Sequence, residues 1–172
     1  MKTTFHILIV NLFFYTSLFA QDCDFETKKN DKFTGKTEVS NSFSLGGHLF
    51  YLRKLDTIHS IEFVSMSFKG ALQQGIEKGT VGQFRLANGE FASFTASQAA
   101  EPVVKVNGTS TDVYSTFRVN YNITPAELAK ISKSPPVAFN IPLGSVSAAN
   151  DIPEKKGVKM QETAKCLLEF KN

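Results

Sequence analysis

Two cysteines and two histidines are the side chains in the main part of this sequence that most readily do chemistry. Cys23 and Cys166 lie 143 positions apart, and His48 and His59 lie between them. Thiols can form a disulfide, act as nucleophiles or bind metals, whereas imidazoles can act as general bases or metal ligands. Which of these applies depends on the cellular compartment and on the neighbouring residues.

The histidines have weak sequence support as a catalytic or metal site. Asp56 and Glu62 lie close to His59, but His59 and Glu62 are an odd number of residues apart and would point to opposite faces of a strand. The chain has neither an H-E-x-x-H nor a G-x-S-x-G motif. We therefore predict no metal site. A hydrolase whose site is assembled by the fold around His48 or His59 stays open as an alternative.

The first twenty residues have the pattern of a secretory signal peptide. Lys2 precedes a largely apolar run over residues 5–18, which ends at the small residue Ala20. This run is shorter and more polar than a membrane-spanning helix requires. We predict cleavage after Ala20, no transmembrane segment after cleavage, and a single β-rich domain over residues 21–172. The predicted location is exported: periplasmic, cell-surface or extracellular.

Export makes a disulfide between Cys23 and Cys166 the expected state of the two thiols, because exported proteins are in oxidising compartments. Linkage of Cys23 to a second molecule, or its lipidation, is the rival interpretation. Asp22 argues against lipidation, since the bacterial attachment signal has small residues immediately before its cysteine.

The charge and the motifs of the chain argue against nucleic-acid binding and against a cofactor. The formal charge of the whole chain is +3, and its basic residues do not form a stripe, so we predict no nucleic-acid partner. No motif calls for a cofactor, and none is predicted. The partner is expected to be an unidentified protein or small molecule.

The elements are mostly short strands separated by turns. Residues 58–68 are apolar on both faces, which is typical of an interior strand. Asn88-Gly89 predicts a type I′ hairpin over residues 82–95, with Leu86 opposite Phe91. Residues 166–170 alternate and predict a last strand, preceded by a weak helix that Gly157 interrupts.

Residues 124–128, Thr-Pro-Ala-Glu-Leu, predict the start of a helix. Thr124 suits the N-cap, Pro125 the first helical position, and Glu127 the far side of a capping box. Together these elements predict a mainly β fold of the α+β class: an antiparallel β-sandwich or partial barrel with one or two short helices.

Several of these segments resemble uncharacterised small exported proteins of Bacteroidetes-type bacteria. They are Cys23-Asp24-Phe25, Asp31-Lys32-Phe33-Thr34-Gly35, Asn88-Gly89-Glu90, residues 123–128 and Cys166. The resemblance implies export from a Gram-negative cell and a mostly β domain. It implies no activity and transfers no functional residue.

The expected function is therefore that of an exported, non-catalytic domain that binds a ligand or partner or belongs to an envelope assembly. A pocket that held one histidine together with a carboxylate and a hydroxyl would favour the hydrolase instead.

Overall fold

The computed structural model describes residues 23–106, 112–143 and 146–171. Within these residues the chain forms ten strands and two helices. The strands are β1 (Thr27–Asn30), β2 (Thr37–Leu45), β3 (His48–Leu55), β4 (Ile58–Lys69), β5 (Val81–Leu86), β6 (Phe91–Ala96), β7 (Val103–Val106), β8 (Val113–Asn122), β9 (Pro136–Leu143) and β10 (Val146–Asp151). The helices are α1 (Pro125–Lys133) and α2 (Glu154–Glu169). The predicted cleavage site after Ala20 lies outside the described residues.

All pairings in the sheet are antiparallel, and the strand order is β1-β2-β3-β4-β8-β6-β5-β9-β10, with β7 pairing with β8. The sheet is not closed. It nevertheless curls strongly. The ring centroids of Phe50 on β3 and Phe84 on β5 are only 6.4 Å apart, although β5 is the fourth strand after β3 in the strand order. The predicted class, mainly β with short helices, is confirmed.

The concave face of the sheet holds the core. Aromatic rings fill it, with centroid distances of 4.9 Å for Phe50–Phe63 and for Phe84–Phe94. Helix α2 packs against β2, β3 and β9, and α1 packs against α2 and β6, so the two helices cover the concave face.

Strand β4 is an interior strand as predicted, but it is not apolar on both faces. Its register with β8 shifts between Phe63 and Met66, which places a bulge there. A bulge inserts one residue and reverses the alternation of side chains. Phe63 before the bulge and Met66 after it are consequently both fully buried on the concave face.

The hairpin between β5 and β6 is confirmed, whereas its predicted type and register are wrong. Leu86 N donates to Glu90 O (2.9 Å), and Gly89 N donates to Leu86 O (3.0 Å). Only Gly89 has positive φ (+86°), so the loop has three residues and not two. Leu86 thus lies opposite Glu90, and Phe91 is half exposed and not part of the core.

Helix α1 begins as predicted. Thr124 Oγ1 accepts a hydrogen bond from Glu127 N at 3.2 Å, and Pro125 occupies the first turn. The second half of the predicted capping box is wrong. The Glu127 carboxylate accepts instead from Ser93 N (2.8 Å) on β6 and from Lys130 Nζ (2.7 Å), which ties the helix to the sheet.

The predicted last strand is helical. Residues 166–169 form the end of α2, and Gly157 lies inside this helix without interrupting it. A Cβ atom at Gly157 would lie 2.4 Å from the carbonyl oxygen of Pro136, so glycine allows α2 to approach β9 closely. The buried residues Met160, Ala164 and Leu167 recur at helical spacing and form the inner face of α2.

Candidate functional site

The N-terminal segment of the described chain is attached to α2 by a disulfide. Cys23 and Cys166 form this bond with their Cα atoms 5.5 Å apart, which confirms the predicted pairing. The prediction that Cys166 lies in a strand is wrong. Cys23 precedes β1, and Cys166 lies in the last turns of α2. The bond therefore joins the N-terminal segment to a helix.

Asn41 on β2 reinforces this attachment. Its Oδ1 accepts from Glu26 N (2.7 Å), and its Nδ2 donates to Asp24 O (3.2 Å) and to Thr163 Oγ1 (3.0 Å) on α2. Asn41 is only 4% exposed, and all three hydrogen bonds of its side-chain amide go to neighbouring elements, as expected for a buried polar group. One buried amide thus links the N-terminal segment, the sheet and the helix.

Glu26 forms a second link beside Asn41. Its Oε2 accepts from Ser42 N (2.9 Å) and Ser42 Oγ (2.5 Å), and its Oε1 accepts from Lys159 Nζ (2.7 Å). The hydrogen bonds from Lys159 and then Ser42 lower the pKa of Glu26 from 4.5 to about 2. The carboxylate is therefore ionised at neutral pH and neutralises the charge of Lys159.

A groove of about 690 Å³ runs between this N-terminal segment and the outer face of α2. Its size is within the range of small-molecule sites. Asn41, Thr163 and Cys166 are buried residues in its lining, and the other lining residues are exposed or partly exposed. These others are Asp24, Lys155, Lys156, Val158, Lys159 and Glu162.

The three lysines of the groove differ in how far their charges are already engaged. Lys159 pairs with Glu26, and Lys156 Nζ donates to the backbone carbonyl of Ser44. Lys155 has no hydrogen bond or ion pair within the described part of the chain. Lys155 is thus the cation of the groove that is best placed to pair with a bound anion.

Both histidines are buried, and neither lines the groove as far as the structure describes the chain. His48 begins β3 and packs its ring on Phe68 and Phe139, with centroids 5.5 and 5.7 Å away. Burial lowers the pKa of His48. Its Nδ1 has no hydrogen-bond partner among the described residues, and its contacts are those of a core aromatic ring.

His59 supports the C-terminal end of α2. Its Nε2 lies 3.3 Å from the carbonyl oxygen of Leu167, and Lys54 Nζ donates to the carbonyls of Leu167 (3.2 Å) and Phe170 (2.7 Å). Burial lowers the pKa of His59, and the Leu167 hydrogen bond partly offsets this effect. The last turn of α2 has no basic residue of its own, so β3 and β4 supply the donors that its carbonyls need.

These two histidines predict a loss of stability in mild acid. A neutral buried histidine with a lowered pKa keeps its full contribution above the unfolded value of 6.5 and loses it as the pH falls below 6.5. We expect the free energy of unfolding, measured with denaturant, to decrease as the pH falls from neutral towards 5.

His48→Phe provides the matched variant for this experiment, because phenylalanine fits among the aromatic neighbours of His48 and does not titrate. The variant should show a smaller decrease over the same pH range. If the free energy of unfolding decreased with pH as steeply in His48→Phe as in the parent protein, the pH dependence would come from other groups.

A second cavity, of about 530 Å³, lies beside the irregular segment over residues 70–80. Its lining is polar and includes the side chains of Gln73, Glu77 and Glu101. Among the described residues no group of three or more His, Cys, Asp and Glu is arranged to hold a metal ion. No helix in the described ranges has the length and apolar character needed to cross a membrane.

No protein-family model matches the chain, and no curated protein or solved structure with which it was compared matches it either.

Sequence reasoning singled out the two cysteines but missed the lysines of the groove. The missing signal was the helical period of Met160, Ala164 and Leu167, because it places Lys155 and Lys159 together on the outer face of α2.

Proposed function

We propose that this protein is an exported, non-catalytic binding domain that holds a small anionic amphiphile in the groove between α2 and the N-terminal segment. The groove itself carries the proposal: it combines the volume of a small-molecule site with cations on one helix face. Sites of this kind join a largely apolar wall to a few placed polar groups.

The chemistry of the lining favours an anion with an apolar body. Val158 and the methylene stems of the lysines offer apolar contact surface, because lysine side chains cover apolar groups while their ammonium groups reach water. Lys155 supplies an unengaged cation at the helix surface, whereas Lys159 is already neutralised by Glu26. Asp24 and Glu162 also line the groove, and they would disfavour a ligand with several negative charges.

Two observations support export. The apolar run over residues 5–18 and the small residue Ala20 have the pattern of a signal peptide. The Cys23–Cys166 disulfide is the state that thiols reach in an oxidising compartment.

The hydrolase alternative gains no support from the histidines. His59 Nε2 is directed at a backbone carbonyl, and His48 is packed among phenylalanines. A general base needs a nucleophile within hydrogen-bond reach, and these rings contact other groups.

The proposal predicts that the protein binds dodecanoate more tightly than dodecanol, because only the carboxylate can pair with Lys155. Lys155→Gln should weaken dodecanoate binding about tenfold, as expected for a lost charge-assisted hydrogen bond. It should leave the binding of dodecanol unchanged. Isothermal titration calorimetry on the oxidised protein measures both affinities.

Lys165→Gln is the matched control, because Lys165 is exposed on the same helix and does not line the groove. It should bind dodecanoate like the parent protein. Equal affinities of the parent protein for dodecanoate and dodecanol, or equal losses in the two lysine variants, would contradict the proposal.

A further inference from the structure

The turn between β1 and β2 presents a phenylalanine entirely to solvent. Phe33 lies at the tip of this hairpin and is 101% exposed, more than any other large apolar side chain described. Isolated apolar residues at half exposure are ordinary on protein surfaces, but an aromatic ring with no protein contact forgoes all of its burial energy. The exposure of this ring therefore favours a contact with another molecule.

The turn is built to hold Phe33 in that position. Asp31 Oδ1 accepts from Phe33 N (2.8 Å) and Thr34 N (3.3 Å), and Asp31 O accepts from Gly35 N (2.7 Å). Asp31 N in turn donates to Lys36 O at 2.9 Å, which closes the turn. Gly35 adopts φ +69°, a conformation that other residues rarely take.

The surroundings of Phe33 are basic. Residues 28–36 contain four lysines and one aspartate, a formal charge of +3. The lysines are Lys28, Lys29, Lys32 and Lys36. Of these, only Lys28 takes part in an ion pair or ring contact among the described residues, and Lys36 also interacts electrostatically with Asp31. Lys28 Nζ lies 5.4 Å from the centroid of the Phe170 ring.

The carboxylates at this end are engaged by the protein itself. Asp31 accepts backbone hydrogen bonds within the turn, and these bonds lower its pKa. Glu38 Oε1 lies 3.2 Å from Arg53 Nε, and Asp56 interacts electrostatically with Lys54. The net positive charge around Phe33 is therefore available to an external partner.

The turn between β3 and β4 extends this surface. Asp56 N donates to Thr37 O (3.0 Å), so the two turns lie at the same end of the sheet. Ile58 begins β4 there and is 59% exposed. A depression of about 380 Å³ lies between the turns and is lined by Leu55, by Lys29 and Lys36, and by the engaged carboxylates of Asp31 and Glu38.

We propose that this end of the sheet docks on an anionic lipid surface, with Phe33 and Ile58 entering the headgroup region and the lysines pairing with lipid phosphates. Charge complementarity selects this occupant. A projecting apolar tip surrounded by lysines matches a broad anionic interface, where each lysine near the surface adds to the attraction.

Co-sedimentation of the oxidised protein with vesicles tests the proposal. Vesicles of phosphatidylglycerol mixed with phosphatidylcholine should bind the protein, and vesicles of phosphatidylcholine alone should bind it much more weakly. Phe33→Ser should weaken binding about tenfold through lost apolar insertion. Lys32→Gln with Lys36→Gln should weaken it about thirtyfold, at about fivefold for each charge.

Two matched variants separate this surface from the rest of the molecule. Phe91→Ser removes a half-exposed phenylalanine on β6, and Lys133→Gln removes an exposed cation at the end of α1; both should bind the vesicles like the parent protein. Since all substituted residues are exposed, thermal unfolding should confirm that every variant is folded.

Three results would overturn the proposal. The first is failure of the parent protein to bind the mixed vesicles at low ionic strength. The second is vesicle binding that Phe33→Ser leaves unchanged, which would mean that binding depends only on non-specific electrostatic attraction. The third is equally tight, Phe33-dependent binding of an acidic polypeptide such as polyglutamate, which would make a protein the partner.

Discussion

Replacing Cys23 and Cys166 together with serine should lower the free energy of unfolding by about 5 kcal/mol, the largest effect that we expect for any substitution. The bond joins residues 143 positions apart. In the chain-entropy model, a cross-link that closes a loop of this length removes about 5 kcal/mol of unfolded-state entropy. The bond also holds β1, whose residues are mostly exposed and which has little apolar surface of its own.

Denaturant unfolding of the oxidised parent protein and of the double variant measures this difference. The parent protein treated with a reductant serves as the control, because it loses the bond without a change of sequence, and it should match the double variant. Equal stability of the oxidised parent protein and the double variant would contradict the account of the disulfide as the main attachment of the N-terminal segment.

Gly157→Ala should destabilise the protein by about 3 kcal/mol, although alanine is the better helix former by about 1 kcal/mol. The added Cβ would lie 2.4 Å from the Pro136 carbonyl oxygen, which belongs to the backbone of β9 and cannot rotate away. Helix α2 would have to move from the sheet, and the packing of its inner face would be lost.

Close packing and helix propensity predict opposite changes in stability for Gly157→Ala. Lys165→Ala, at an exposed position of the same helix, is the matched control and should change the free energy of unfolding by only a few tenths of a kcal/mol. If Gly157→Ala raised the thermal unfolding temperature, as helix propensity alone predicts, the close approach of α2 to β9 would be refuted.

The sequence predicted the elements whose signals are local. The N-cap at Thr124 depends on neighbouring residues and is found as expected. The continuity and the end of helix α2 were wrongly predicted, because the reason for Gly157 lies in Pro136, 21 positions earlier in the chain. Without that contact, the glycine indicates an interrupted helix, and the alternating Cys166, Leu168 and Phe170 favour a strand.

The register errors have a similar origin. Asn88-Gly89 favours a two-residue turn by local propensity, but Asn88 N donates to Ser134 Oγ (3.1 Å) beyond α1, and the loop has three residues. In β4, a bulge that no residue type signals changes the face of every following side chain. Such features are set by pairing with distant strands.

Some features of the candidate site could likewise be predicted from the sequence, and others could not. The disulfide could be predicted, because two cysteines in a chain that is expected to be exported leave few alternatives. The groove could not, because Asn41 and Thr163 are 122 positions apart and meet only when the chain is folded. The histidines were chemical candidates by residue type, and their folded surroundings give them structural roles.

Amide chemical shifts recorded during a titration with dodecanoate test the proposed groove most directly. The proposal predicts concentration-dependent shifts clustered at Asn41, Lys155 and Thr163, with the residues of the cavity around Gln73 and Glu77 unaffected. Shifts clustered at Gln73 and Glu77, or no shifts at all, would contradict the assignment of the groove as the binding site.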